Sequence, residues 1–375
     1  MSIESTAANP QKVWEAYTYA ATMLGEMAVT FGANIHIEPF ESNGKPSLLA
    51  WHGNSSRPEH FQVLLNGHLD VVPGTPEQFD PKLQDGKLYG RGAYDMKAAG
   101  VAMAAAFCEH PGTGLQLVTD EETGGENGTA YQIEQGVRAD FIICGESGRP
   151  EGVAEIANEA KGMLIADVTF AGDPAHSAYP WQGKNPIIAA NNFLNKLQER
   201  YPTPTSDAAG NAVTTVTPIG NSGGNDTLSQ TPDLARLRLD SRYLIGDPQF
   251  ETLEDFEMLV KDLGATAQIE KVLTFADPIY TEPGYPMLQA LMAAAKTVEG
   301  QPFNLVRRNG TSDGRFYRHV GGRAVEFGIA GSGQHGSEEY ITVKALENYY
   351  QTLRMFLGDV TAKKLPNQRT ETVLS

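Results

Sequence analysis

Phe61-Gln62-Val63-Leu64-Leu65-Asn66-Gly67-His68-Leu69-Asp70 begins as a short apolar strand and ends on an imidazole and a carboxylate. The same order recurs along the chain: an apolar segment, a glycine or small residue, then an acidic or imidazole side chain. Residues 115–118 lead to Asp120-Glu121-Glu122, 141–144 lead to Gly145-Glu146, and 324–329 lead to Gly333-Gln334-His335-Gly336. Asp95 stands at the head of the alanine-rich stretch 96–108, which is apolar nearly all round and reads as a buried helix. Strands alternating with helices predict an α/β domain, a mostly parallel sheet with helices on both faces. In such a sheet the C-terminal strand ends share one edge, where ligands bind. The five segments would therefore bring their acidic and imidazole groups together.

Outward from this core, residues 11–31 carry Val13, Tyr17, Ala20, Leu24 and Met27 on one stripe and predict a helix. A shorter helical stretch is expected at 128–135, a helix at 286–298 and a strand at 324–329. The texture changes between 161 and 276. There the order is strand (163–170), helix from Asn185-Pro186, strands (213–219 and 235–243), helix (253–263) ending at Gly264, and strand (269–275). That succession is the ferredoxin-like pattern. The expectation is a discontinuous catalytic domain over 1–160 and 277–375, with an α+β insert over 161–276.

The 375 residues are 41% hydrophobic and 20% charged, as in a globular protein, with a formal net charge of −17. That balance argues against nucleic acid or an anionic membrane as partner, since both call for a basic face. The longest apolar run, 98–108, is about half of the ~20 residues a span needs. No secretory signal is read in residues 1–16. The two cysteines, Cys108 and Cys144, lie in apolar stretches and read as buried free thiols of a reducing compartment, so the cytoplasm is expected.

Carboxylates crowded against two imidazoles cannot all stay ionised unless a cation offsets their repulsion. Two divalent metal ions would do so. Zinc accepts this ligand set, and cobalt or manganese could replace it. A pair of ions about 3.5–4 Å apart needs one bridging carboxylate, for which Asp95 is the natural candidate.

GHLDVVP, GRGAYDMKAAG, TDEETGG, CGES, GTSDGRF and QHGSEEYI, in this order from His68 to Glu339, resemble the motifs of the M20 metallopeptidases. That group includes succinyl-diaminopimelate desuccinylase, acetylornithine deacetylase, aminoacylase and glutamate carboxypeptidases. The resemblance implies that His68 and Glu146 hold one metal, Glu122 and His335 the other, and that Asp95 bridges them through a residue whose following peptide bond is cis. It implies Glu121 as general base and Asp70 as the partner that orients His68. His176, in Ala175-His176-Ser177-Ala178-Tyr179-Pro180, resembles a lid histidine that reaches the active site of a partner subunit, which implies a homodimer formed through the lid. Tyr179 beside it, Thr311 and Gly314 are expected to line the substrate cleft, and Arg242 to grip a substrate carboxylate. Taken alone, His176 reads as a loop histidine and Arg242 as a strand residue paired to Asp240 or Asp247.

The expected activity is cleavage of the amide bond of an N-acyl amino acid or small peptide with a free carboxylate. A dipeptidase or glutamate-type carboxypeptidase shares the mechanism. A catalytically inactive binding protein would show ligand losses, and none is visible. Leu228-Ser229-Gln230-Thr231-Pro232 stands where the desuccinylase has Asn-Val-Ile-Pro, with Asn225 near by, and Gly331 stands where it has Asn. The acyl group is left open by these departures.

Overall fold

The computed structural model describes residues 1–53, 56–223 and 228–363. They form two compact units. The first comprises Met1–Asn158, Tyr280–Val306 and the chain from Ser312 onward; the second comprises Glu159–Ile279 and Arg307–Thr311. The pentapeptide Arg307–Thr311, including Thr311, thus clusters with the insert, whereas the sequence assigned it to the first domain. Asn225 lies outside the described residues.

The sheet of the first unit runs in the order Ile35–Ser42, Lys45–His52, Thr113–Val118, Phe61–His68, Ala139–Cys144, Arg323–Glu326, Glu155–Ala160. Its four central strands, Thr113–Val118, Phe61–His68, Ala139–Cys144 and Arg323–Glu326, are parallel; their outer neighbours are antiparallel. Every residue of Thr113–Val118 is buried, as expected of a parallel strand covered on both faces. The alanine-rich helix Lys97–Glu109 lies in the largest core cluster. Ala98, Ala102, Met103 and Phe107 are there, with Leu24, Leu288, Leu291, Tyr349, Leu353 and Phe356 from three other helices. Pro10–Phe31 begins with Asn9, whose side chain accepts from Lys12 N, and ends at Gly32 in the left-handed region.

Several elements were not foreseen, among them the strand Glu155–Ala160, the first hairpin and the last helix. Ile35–Ser42 and Lys45–His52 form a hairpin around Asn43 and Gly44, whose φ values of 49° and 76° are those the tight two-residue turn requires. The helix Val343–Lys363 closes the core of the first unit. The helical stretch expected at 128–135 is a π-helical turn, Glu126–Ala130, running into Tyr131–Glu134.

In the second unit the strands run Thr215–Gly223, Leu234–Tyr243, Gly162–Ala171, Ala267–Ala276, all antiparallel. Numbered along the insert this is 2-3-1-4, the ferredoxin-like arrangement. Phe193 and Leu197 of Pro186–Arg200, and Phe256, Leu259 and Val260 of Leu253–Leu263, share a core with Leu164, Val168, Phe170 and Leu237. Both helices are set by their first turns. Asn185 caps one through Ile187 N ahead of Pro186, and a Thr252–Asp255 capping box opens the other. Both cysteines are buried and free, and no helix among the described residues is long and apolar enough to cross a membrane.

Leu353 is fully buried in the unforeseen C-terminal helix. Leu353→Ala is expected to lower stability by about 2–5 kcal/mol, measured by guanidinium-induced unfolding. A wild-type midpoint would remove that helix from the core.

Candidate active site

His68 is the last residue of its strand and 1% exposed. Its Nδ1 lies 3.0 Å from the main-chain oxygen of Asp70. A ring N–H donated there leaves Nε2 free to face Asp95 Oδ1 at 3.2 Å and Glu146 Oε1 at 3.9 Å. Asp70 therefore orients the ring mainly through its carbonyl, since its carboxylate stands farther off at 3.5 Å. The Asp70 Oδ2 accepts instead from the backbone N–H of Glu122, at 3.0 Å.

Asp95 is 5% exposed and followed by a cis peptide bond. While Oδ1 faces His68, Oδ2 lies 3.2 Å from His335 Nε2 and accepts from Gln334 Nε2 at 2.9 Å. The same His335 nitrogen lies 3.2 Å from Glu122 Oε1. His335 is placed by a tight turn in which Gly336 N donates to Gly333 O, and its own φ is 58°. One carboxylate thus faces two imidazoles, and each imidazole faces one further glutamate.

Glu121 and Glu122 lie on a single 3-10 turn, Glu121–Thr123. Three residues per turn separate consecutive side chains by about 120°, so the pair diverges. Ligand atoms of His68, Asp95 and Glu122 lie within 4.8 Å of one another, and so do those of His68, Glu121 and Glu146.

The turn is braced from a segment in which the sequence singled out only Thr311 and Gly314. Asp313 Oδ2 accepts from Thr129 Oγ1 at 2.6 Å, and Arg315 Nη2 donates to Gly124 O at 2.6 Å. A Cβ at Gly125 would meet Asp313 Oδ1 at 2.0 Å, so glycine is required for this approach. Gly314 is buried in the turn between the two bracing residues. The signal for Asp313 and Arg315 lay inside the GTSDGRF motif, but its target, a carbonyl 191 residues away, is not local.

Charge crowding sets the electrostatics. Burial, followed by repulsion from Glu121, pushes the Glu146 carboxyl well above the usual range. Burial does the same to Glu121, with the charge of His68 opposing it and Asp313 and Asp70 adding to it. Burial works against ionisation of Asp95 too, but hydrogen bonds from His335 and His68 outweigh it and hold that carboxyl below its ordinary value. His335 is raised to about 10 by its bonds to Asp95 and Glu122. A divalent cation would reverse both tendencies, ionising the buried glutamates and deprotonating the imidazoles. The donor set and its spacing fit such an ion.

His176, Tyr179, Arg242 and Thr311 belong to the second unit. His176 and Tyr179 sit on an exposed loop with ring centroids 5.7 Å apart, and His176 Nδ1 accepts from Ala178 N at 3.1 Å. Arg242 makes a two-pronged contact with Asp240, Nε to Oδ1 at 2.8 Å and Nη2 to Oδ2 at 3.1 Å. Thr311 Oγ1 lies 3.4 Å from Asp277 O.

In the chelated protein the folded pKa of His335 exceeds its ordinary 6.5. Its stabilising contribution is therefore complete below about pH 6.5 and lost as pH rises toward 10. The stability gap between wild type and His335→Gln, measured in chelator by urea unfolding, is expected to be widest near pH 6 and to close toward pH 10. A gap that stays constant or widens with pH would contradict the ion-pair assignment.

Residues 64–359 match the model of peptidase family M20/M25/M40. The succinyl-diaminopimelate desuccinylase of Thiobacillus denitrificans is 30% identical over 353 residues, 86% of either chain. That of Dechloromonas aromatica is 31% identical over 86% of this chain and 88% of its own. Among solved structures, an M20 family metallo-carboxypeptidase from Sulfolobus solfataricus superposes with a TM-score of 0.73 at 18% identity, covering 95% of this chain and 96% of its own. An aminopeptidase from Bacillus cereus gives 0.70 at 19% identity, covering 91% and 92%. The chain belongs to peptidase family M20/M25/M40 and is an amide-bond hydrolase of that family.

Proposed function

We propose that this protein is a two-metal deacylase that hydrolyses the amide bond of an N-acyl amino acid bearing a free carboxylate. The observation that carries the reading is Asp95, which turns one carboxylate oxygen to His68 and the other to His335. His68 and Glu146 would hold one ion, Glu122 and His335 the second, and Asp95 both; zinc suits the mixed nitrogen and oxygen set. Bound there, two divalent ions would polarise the scissile carbonyl and acidify the attacking water.

Glu121 takes one proton from that water as its oxygen attacks the carbonyl carbon, then delivers the proton to the departing nitrogen. The second proton of the water leaves the new carboxyl group for the freed amine, so the products are a carboxylate and an ammonium ion. Ionised by the charge of the bound ions, Glu121 would act as base, and its carboxylate lies with the ligand atoms of His68 and Glu146 within 4.8 Å of one another. Asp70 holds the His68 ring and the Glu122 backbone at once. The planar fork of Arg242 would exchange Asp240 for the substrate carboxylate. His176, on its exposed loop, would donate to the developing oxyanion in a partner subunit of a lid-mediated homodimer. Two buried free thiols suit a cytoplasmic setting.

Desuccinylase-named relatives favour deacylation. The test is a panel of N-succinyl and N-acetyl amino acids beside dipeptides, assayed before and after chelation. The expected result is chelator-sensitive cleavage with an N-acyl amino acid as best substrate; preference for dipeptides would shift the reading to a peptidase. Glu121→Gln is expected to lower kcat by about 10²–10⁴ with metal content retained. Near-full activity in that variant would dismiss Glu121 as the base.

A further inference from the structure

Beside the clustered ligands lies a buried ion pair that the proposed chemistry does not use. Arg91 Nη1 and Glu339 Oε2 are 2.6 Å apart, with side chains 3% and 0% exposed. The other oxygen, Glu339 Oε1, accepts two consecutive backbone N–H groups, Tyr94 at 2.9 Å and Asp95 at 3.0 Å. From Arg91, Nη2 donates to the carbonyls of Pro73 at 3.2 Å and His335 at 3.3 Å. The Tyr94 hydroxyl in turn donates to Arg149 O and accepts from Gly148 N, both at 2.8 Å. One pair thus fastens the segments that follow His68, precede Asp95, carry His335 and, through Tyr94, follow Glu146.

We infer that Arg91 and Glu339 are positioning residues that fix the main chain at Asp95 and His335, so that one carboxylate spans both imidazoles; the inference rests on the two-metal reading. A fold-stabilising role alone does not account for the arrangement. A buried ion pair gains little over apolar residues of similar volume, because desolvation offsets attraction. Arg91 Nε, moreover, is buried without a partner. What the pair supplies is direction: a fixed anion under two N–H groups and a planar fork across two carbonyls. Partners behind a metal ligand of this kind change metal affinity when they are lost.

The test titrates chelated protein with cobalt(II), following the visible absorption, and records thermal unfolding of the same metal-free samples. The variants are Glu339→Gln, Arg91→Lys and the double replacement Arg91→Met with Glu339→Leu. Wild type is expected to bind two ions. Glu339→Gln should bind at least one of them about 10–100-fold more weakly, with Arg91→Lys intermediate. The apolar double variant, which leaves two main-chain N–H groups and two carbonyls without these partners, should unfold below the wild-type temperature yet remain folded at the temperature of the titration and still bind weakly, which separates positioning from folding. Wild-type affinity in a stable double variant, or in Arg91→Lys and Glu339→Gln together, would overturn the inference with the two-metal reading intact. Failure of wild type to bind two ions would overturn that reading and the inference with it.

Discussion

Asp95 faces two imidazoles, each beside a further glutamate, only because five separate parts of the chain arrive together, and most of the first unit is arranged around that requirement. His68 ends a central strand, Glu146 follows the neighbouring one, and Glu122 follows the strand on the other side. Parallel pairing aligns those three ends along one edge, as the register His68↔Val118 and Asn66↔Cys144 records. Asp95 enters at the head of the buried helix Lys97–Glu109, and His335 on a turn held by Gly333. The result is a concentration of negative charge that burial makes costly and that a cation would offset.

Glu121 is held with equal economy of means. Glu121 and Glu122 occupy one turn, so the proposed base and the proposed metal ligand are fixed by the same backbone. Asp313 and Arg315 grip that turn from one direction. From another, Asn127 Oδ1 accepts from Asn43 Nδ2 and Ser42 Oγ at the tip of the first hairpin, and Asn127 N donates to Asp120 Oδ2. An edge hairpin that looks peripheral in the sheet order therefore reaches the loop that follows Glu121 and Glu122.

The recurring order of apolar strand, small residue and acidic or imidazole side chain made the central sheet and the convergence of those side chains at its edge legible, because both follow from local patterning. Asn43-Gly44 was a legible hairpin signal too, but Pro39 and the half-exposed edge strand Ile35–Ser42 hide the alternation that would have drawn attention to it. In Val343–Lys363 the core positions Tyr349, Leu353, Phe356, Leu357 and Val360 are spaced as a helix requires, yet they are diluted among polar residues. Glu339 and Arg91 stood in quoted motifs, but their meaning depends on a contact 248 residues apart in sequence. No local pattern encodes such a pairing. Arg242 was read both as a carboxylate grip and as a strand residue paired to Asp240, and the bidentate contact with Asp240 is what the second unit contains.

Whether Asp95 joins two metal ions is measured directly by anomalous diffraction from crystals of zinc-loaded protein. Two peaks are expected about 3.5–4 Å apart, one beside His68 and Glu146 and the other beside Glu122 and His335, with one Asp95 oxygen directed to each. A single peak, or two peaks that do not share Asp95, would contradict the bridging role.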